Sequence, residues 1–170
     1  MSEETSRNWF MQAGQRFFSL QPVTWVSART FHHIDPLVYR LSDGRFTMLS
    51  LIGGLPVILL TTTGAKSGKQ RTVPLTGIPD GDRYAVIASN WGKKQFPAWY
   101  HNLKANPCVT VDQGGKSRAY SAREATPEEY ESYWNRAISL YSGYKEYKKR
   151  AGGRKIPVIV LEPLEETAPA

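Results

Sequence analysis

Cysteine is nearly missing from this 170-residue chain, which carries Cys108 alone. An internal disulfide and a thiolate metal cluster are both excluded. Histidine is almost as scarce: His32 and His33 are neighbours, and His101 is far off in sequence. Adjacent histidines cannot share one face of a helix or strand, so no metal site is expected. G-x-S-x-G, H-E-x-x-H, C-x-x-C and G-x-G-x-x-G are all missing, which removes unaided hydrolysis and Rossmann-type dinucleotide binding. No run approaches the ~18 uncharged apolar residues of a membrane-spanning helix. The opening Met1-Ser-Glu-Glu-Thr is acidic with no apolar stretch behind it, so no signal peptide is expected and a cytoplasmic setting is. Acidic residues are in deficit as well, 15 against 22 Lys and Arg, for a net charge of +7. Such a charge admits three partners: nucleic acid, an anionic membrane, or a polyanionic small molecule. The length suits a single domain with a sizeable core.

What is present concentrates in Leu59 to Arg71. An apolar run turns into a loop flanked by Gly64 and Gly68 that carries Lys66, Lys69 and Arg71 with no acidic residue among them. Glycines and small hydroxyl residues let backbone N–H groups converge, and the cations suit an anion such as a phosphate. The loop is no Walker A motif. Gly64 to Gly68 is one residue too short, and Gln70 stands where a metal-binding Ser or Thr belongs. The β-branched Arg71-Thr-Val-Pro-Leu-Thr that follows predicts a strand, which makes this a strand–loop–strand anion site.

In the first fifty residues, Trp9, Phe10, Phe17 and Phe18 recur at seven- and eight-residue spacing, the pattern of an amphipathic helix. Leu37 to Leu41 reads as a further helical piece. From Val57 the signals turn to β: strands are expected at Val57–Thr63, Thr72–Ile78 and Tyr84–Ser89, with a hairpin turn at Asp80-Gly81. A helix over Ala98–Ala105 stops at Asn106-Pro107. Cys108–Asp112 and Ser117–Ala122 pair around Gly114-Gly115, and Cys108, after a proline at a strand start, is expected to be a small buried hydrophobe. Thr126-Pro-Glu-Glu129 is a capping box with proline at the first helical position, opening a helix to about Leu140. Ser142-Gly143 breaks it before Tyr144–Arg150, and Ile156–Leu161 is the last strand. The expected architecture is α+β, an antiparallel barrel with flanking helices. Residues 1–50 form an N-terminal segment, 51–163 the barrel, and 164–170 a loose tail.

Two further constellations bear on chemistry. Tyr141, Tyr144 and Tyr147 fall every third residue across the Ser142-Gly143 break, where a corner between helices would aim their rings at one cleft. A phenol donates a proton or hydrogen bond while its ring walls an apolar pocket; half-buried core tyrosines are the plainer reading. Tyr130, Tyr133 and Trp134 read as core. In Ser89 to Asn102, small residues end a strand, Lys93 and Lys94 sit in a loop, and Trp99-Tyr-His-Asn opens a helix. A flat ring could approach the strand end and an anion the helix N-terminus; a surface loop with solvated lysines is the alternative.

Taken in order, Leu-Thr-Thr-Thr-Gly-x-Lys-Ser-Gly (60–68), Arg71 with Pro74, Pro-x-Trp-Tyr-x-Asn-Leu-Lys-Ala-Asn-Pro (97–107) and the three tyrosines before Ile-Pro-Val-Ile-Val (156–160) resemble the deazaflavin-dependent nitroreductase family of actinobacteria. The match covers roughly Leu55 to Pro163. The resemblance implies a split antiparallel β-barrel of the flavin-binding type, and a reduced deazaflavin, coenzyme F-420, that delivers hydride from its C5. It implies that Ala65, Lys66 and Ser67, with Arg71, Thr72, Val73, Pro74, Leu75, Thr76 and Gly77, hold the coenzyme's phosphate side. Ile87, Ala88, Ser89 and Asn90, with Ala98, Trp99, Tyr100, His101 and Asn102, would line its ring and tail, and Tyr144 would close the pocket. Tyr141, Tyr144, Tyr147 and Ser89 look like the substrate-pocket residues. The coenzyme's oligoglutamate tail gives the +7 charge a partner. Three positions depart from the family: Ala65 where Arg is usual, and Asn90 and Thr76 where the nitroimidazole-activating member has Lys and Tyr. The phosphate-side cations remain, while substrate-side groups differ.

The expected reaction is hydride transfer to a small-molecule electron acceptor (a quinone, enone, unsaturated lactone or nitro compound), with Tyr144 or Tyr147 supplying a proton or stabilising an oxyanion. The alternatives are a flavin mononucleotide- or haem-binding protein on the same barrel, or a coenzyme carrier without catalysis. Nucleic acid is not expected, because the cations sit in loops beside glycines and tyrosines without a nucleic-acid motif. The N-terminal aromatic helix has two readings, peripheral contact with the inner face of the cell membrane or a pad over the barrel.

Overall fold

A computed structural model describes residues 55–165. The expected N-terminal helix, the piece at Leu37–Leu41 and the membrane reading attached to them lie outside the described residues. Seven strands, β1 (Val57–Thr63), β2 (Gln70–Thr76), β3 (Ile78–Asp80), β4 (Arg83–Ile87), β5 (Cys108–Gln113), β6 (Lys116–Glu124) and β7 (Val158–Pro163), form one sheet in the order β2-β1-β5-β6-β7-β4-β3. Every pairing is antiparallel. Three α-helices accompany it: α1 (Ala98–Ala105), α2 (Pro127–Leu140) and α3 (Gly143–Arg150). Among the described residues, no helix is long and apolar enough to cross a membrane.

The sheet must curl. Its two edge strands, β2 and β3, are separated by the single residue Gly77, so the far ends of the strand order are brought side by side. Here the chain departs from the single strand expected over Thr72–Ile78. A Cβ on Gly77 would meet Ile58 Cγ2 at 2.8 Å, while its N–H donates to Pro56 O at 2.9 Å. Only a residue without a side chain lets the backbone turn this close to β1. The outcome is a curled antiparallel half-barrel with α2 and α3 on its outer side, the split-barrel architecture that the motifs imply.

Alternation sorts the side chains into two cores. Ile58, Leu60, Val86, Val109, Val111, Ile159 and Leu161 meet inside the curl, and α1 adds Trp99 and Leu103 to them. Ala85, Ile87, Val158 and Val160 point the other way and are covered by Tyr133, Trp134 and Ala137 of α2 together with the tyrosines of α3. β4 and β7 are therefore buried on both faces, which explains their unbroken apolar runs. Full burial of each such side chain is worth roughly 1.5–3 kcal/mol.

Local signals account for the ends of elements. Gly114 and Gly115, both with positive φ, make the two-residue turn that puts Gln113 opposite Lys116. Thr126 Oγ1 accepts from the Glu129 N–H, and Glu129 Oε2 accepts from the Thr126 N–H, which completes the capping box. Cys108 corrects an expectation: it is exposed. In β5 the alternation turns Val109 and Val111 inward, so Cys108 and Thr110 face out.

Candidate functional site

The anion loop is the β1–β2 connection. Thr63 pairs with Gln70, and the six residues between them close on themselves: Gly64 N–H donates to Lys69 O at 2.9 Å, and Gly68 N–H to Gly64 O at 2.8 Å. Gly68 has φ of 65°, which favours glycine, and a Cβ on Gly64 would lie 2.6 Å from Ser67 Oγ and 3.1 Å from Lys69 O, so a side chain there would crowd the loop. Lys66, Ser67, Lys69 and Arg71 are exposed, and among the described residues none of the three cations has a carboxylate partner. Other basic residues are engaged: Arg123 with Glu129 and Glu162, Arg83 and Arg136 with Asp80, Lys104 with Glu124. A cluster of unneutralised cations on a rigid hairpin is poised for an external anion.

Asn102 fixes this hairpin to α1. Its Oδ1 accepts from the Ala65 N–H at 3.1 Å, and its Nδ2 donates to Thr62 Oγ1 at 3.1 Å. Asn102 thus shapes the loop, and the N–H of Ala65 is already committed. The remainder of the helix start diverges. Trp99 is buried inside the curl. Tyr100 donates to Glu124 Oε1 at 2.7 Å, and partial burial together with that carboxylate pushes its phenol up to about 12. Ala98 and His101 are exposed.

β2 divides the residues Arg71 to Gly77 between two faces. Val73 and Leu75 pack against the inner core. Thr72 faces the other way, its Oγ1 sharing a 2.8 Å hydrogen bond with Thr61 Oγ1, and Pro74 and Thr76 follow it by alternation. Thr76, at the end of the strand, lies close enough to the Tyr144 phenol to act on its pKa. One strand therefore runs from the cation hairpin to the tyrosines.

Tyr141, Tyr144 and Tyr147 form a closed triangle, with ring centroids 5.7–6.0 Å apart. They are 9%, 7% and 4% exposed: the corner brings the rings together, and they pack as core. The corner needs glycine. A Cβ on Gly143 would lie 2.2 Å from the Tyr141 ring. Burial pushes the Tyr144 phenol up to about 12, and the nearby Thr76 hydroxyl works against that rise. Burial raises Tyr147 further, and its hydroxyl donates to Tyr141 Oη at 3.4 Å. At neutral pH Tyr144 and Tyr147 hold their protons and can donate them.

Ser89 opens a turn that packs on this triangle. Asn90, Trp91 and Gly92 have φ of 48°, 58° and 77°, and two of them are not glycine. Left-handed backbone at consecutive side-chain-bearing residues needs external support. Trp91 meets the Tyr147 ring edge-on at 6.1 Å, and a Cβ on Gly92 would lie 3.0 Å from the Tyr147 backbone. Ile87 joins the outer core and Ala88 the inner one. Sequence reasoning missed Arg154, which donates to the carbonyls of Ala88, Ser89 and Lys93. The Gly152-Gly153 pair before it, with φ of 61° and 86°, was the available signal. Among the described residues, no cluster of His, Cys, Asp or Glu could hold a metal.

A curled antiparallel sheet with a cationic hairpin at one end of a strand and a phenolic wall at the other is the arrangement of a split-barrel protein with room for charge at one end and an apolar ring at the other. The chain belongs to the F420H(2)-dependent quinone reductase family, whose model matches residues 31–163. Over 127 residues it is 39% identical to the F420H(2)-dependent quinone reductase of Mycobacterium tuberculosis strain H37Rv, covering 73% of this chain and 84% of that protein. The solved structure of an F420-H2 dependent reductase, FDR-A, is 45% identical with a TM-score of 0.59, covering 63% of this chain and 94% of that one. A solved chain described as a domain-swapped dimer is 38% identical with a TM-score of 0.61, covering 84% of this chain and 100% of that one. Members of the family are oxidoreductases whose cofactor is reduced coenzyme F-420.

Proposed function

We propose that this chain reduces a quinone with hydride from reduced coenzyme F-420, bound along β2 between the Gly64–Lys69 hairpin and the tyrosine triangle. The observation that carries the reading is the course of that strand. Arg71 to Thr76 spans roughly 17 Å at the usual rise of a strand, and it runs from exposed cations, unpaired among the described residues, to the buried Thr76 beside the Tyr144 phenol. That separation suits a ligand with its phosphate at one end and its reactive ring at the other.

The residues fit such a group. Lys66 and Arg71 would neutralise the phosphate, helped by Lys69 and by the backbone around Ser67. Thr72, Pro74 and Thr76 are the β2 side chains on the face of Tyr144, and Ser89 and Asn90 bring small polar side chains to the neighbouring turn. When bound, the reduced coenzyme supplies a hydride to the acceptor. Tyr144 holds a proton at its Oη throughout the neutral range and would donate it, or a hydrogen bond, to the acceptor oxygen as negative charge develops there. Tyr141 and Tyr147 would wall the pocket and exclude water, and Tyr147 would keep the Tyr141 hydroxyl oriented through the hydrogen bond between them.

Mixing the protein with reduced coenzyme and menadione in a stopped-flow spectrometer tests the reading. Rapid loss of the reduced coenzyme with menadione, and not without it, is expected. A rate equal to that of the protein-free mixture would refute it.

A further inference from the structure

We propose that Arg154 is a positioning residue for hydride transfer, holding the Ser89–Lys93 turn against the tyrosine triangle. The proposal rests on the coenzyme reading above and deepens it. Arg154 Nη2 donates to Ser89 O at 2.9 Å and to Lys93 O at 3.0 Å, Nε to Lys93 O at 3.2 Å, and Nη1 to Ala88 O at 3.4 Å. The guanidinium also lies 4.7 Å from the centre of the Phe96 ring. A planar fork of five donors holds carbonyls on both sides of a turn in a fixed geometry, which a compact ammonium with three rotatable donors reproduces only in part.

The turn has reason to need a clamp. Asn90 and Trp91 sit in left-handed backbone that side-chain-bearing residues resist. Within the turn itself, the ties are Gly92 N–H to Ser89 O, Lys93 N–H to Asn90 O, and Asn90 Nδ2 to Gln95 O. Arg154 anchors the same turn to the segment leading into β7, where Pro157 O accepts from the Ala88 N–H. The turn presents Ser89 and Asn90 and seats Trp91 on Tyr147. A shift of about 1 Å there would misalign the reacting groups, a displacement that can cost roughly a hundredfold in rate. Affinity would suffer less, because the phosphate-side cations lie on the β1–β2 hairpin.

Arg154→Ala and Arg154→Lys decide the matter with two readouts. In stopped-flow oxidation of the reduced coenzyme by menadione, Arg154→Ala should be slower by at least about tenfold. Its coenzyme dissociation constant should change by less than about threefold. Arg154→Lys should fall between it and the native chain, and millimolar guanidinium should restore part of the Arg154→Ala rate. Independently of activity, trypsin should cut after the exposed Lys93 and Lys94 faster in Arg154→Ala, at an unfolding midpoint within about 3 °C of the native one. An unchanged rate, or unchanged cleavage, overturns the proposal. So does a loss of rate that Arg154→Lys shares in full and guanidinium does not relieve. If the native chain itself fails to oxidise the coenzyme, the functional reading falls, and the cleavage comparison alone decides whether Arg154 holds the turn.

Discussion

Glu129 shows how much one side chain can carry. It caps α2 through Thr126, and Arg123 Nη1 and Nη2 reach its two oxygens at 2.7 and 2.8 Å. The Arg123 guanidinium, then the Thr126 N–H, pull its carboxyl from 4.5 down to about 2. A depressed carboxylate contributes stability that is fully present above its unfolded value and lost as pH falls through its folded one. Glu129→Gln should keep the capping hydrogen bond and lose the charge. With solvent screening of a partly exposed pair, it should cost about 2 kcal/mol at pH 7. Denaturant unfolding from pH 7 to pH 2 checks this: the gap to the native chain should close between about pH 4.5 and 2. The capping box was legible because its residues lie within one turn of helix. Arg154 was not, since its acceptors are backbone carbonyls some sixty residues away and the Gly152-Gly153 pair before it marks a turn without naming its partner. Cys108 was misread because Pro107 marks where a strand starts and says nothing of its phase.

Elements joined by local chemistry were read well. β1 and α1 have the expected bounds, and the Gly114-Gly115 hairpin falls where its glycines place it. The break at Gly77 was hidden because β-branched and apolar residues continue on both sides, and only the approach of Ile58 makes the bend necessary. Asn102 was expected to touch a ligand. In the fold it also joins two elements, α1 and the β1–β2 hairpin. Asn102→Ala would leave the buried Thr62 hydroxyl with one partner fewer and release the Ala65 N–H, at a cost of about 1–2 kcal/mol. Hydrogen exchange should accelerate at Ala65 well beyond the change at Leu60, in the same strand pair. Equal changes at both would mean general loosening, not a released loop.

For the whole molecule, Arg83, Lys104, Arg123, Arg136 and Lys149 are drawn into internal ion pairs, while Lys66, Lys69 and Arg71 have no carboxylate partner among the described residues. Lys66→Ala combined with Arg71→Ala should raise the coenzyme dissociation constant roughly tenfold at low salt. The difference should narrow toward 1 M salt as the screening length shrinks to about 3 Å. Fluorescence titration at both salt concentrations checks it, and a salt-independent difference would speak against an electrostatic role. The central claim, that a buried and protonated Tyr144 serves the chemistry and not the grip on the coenzyme, is tested most directly by Tyr144→Phe in single-turnover oxidation of bound, reduced coenzyme by menadione. The expected result is a rate lower by about a hundredfold, with a coenzyme dissociation constant within about threefold of the native value. A native rate in that variant, or a loss of coenzyme binding equal to the loss of rate, would contradict it.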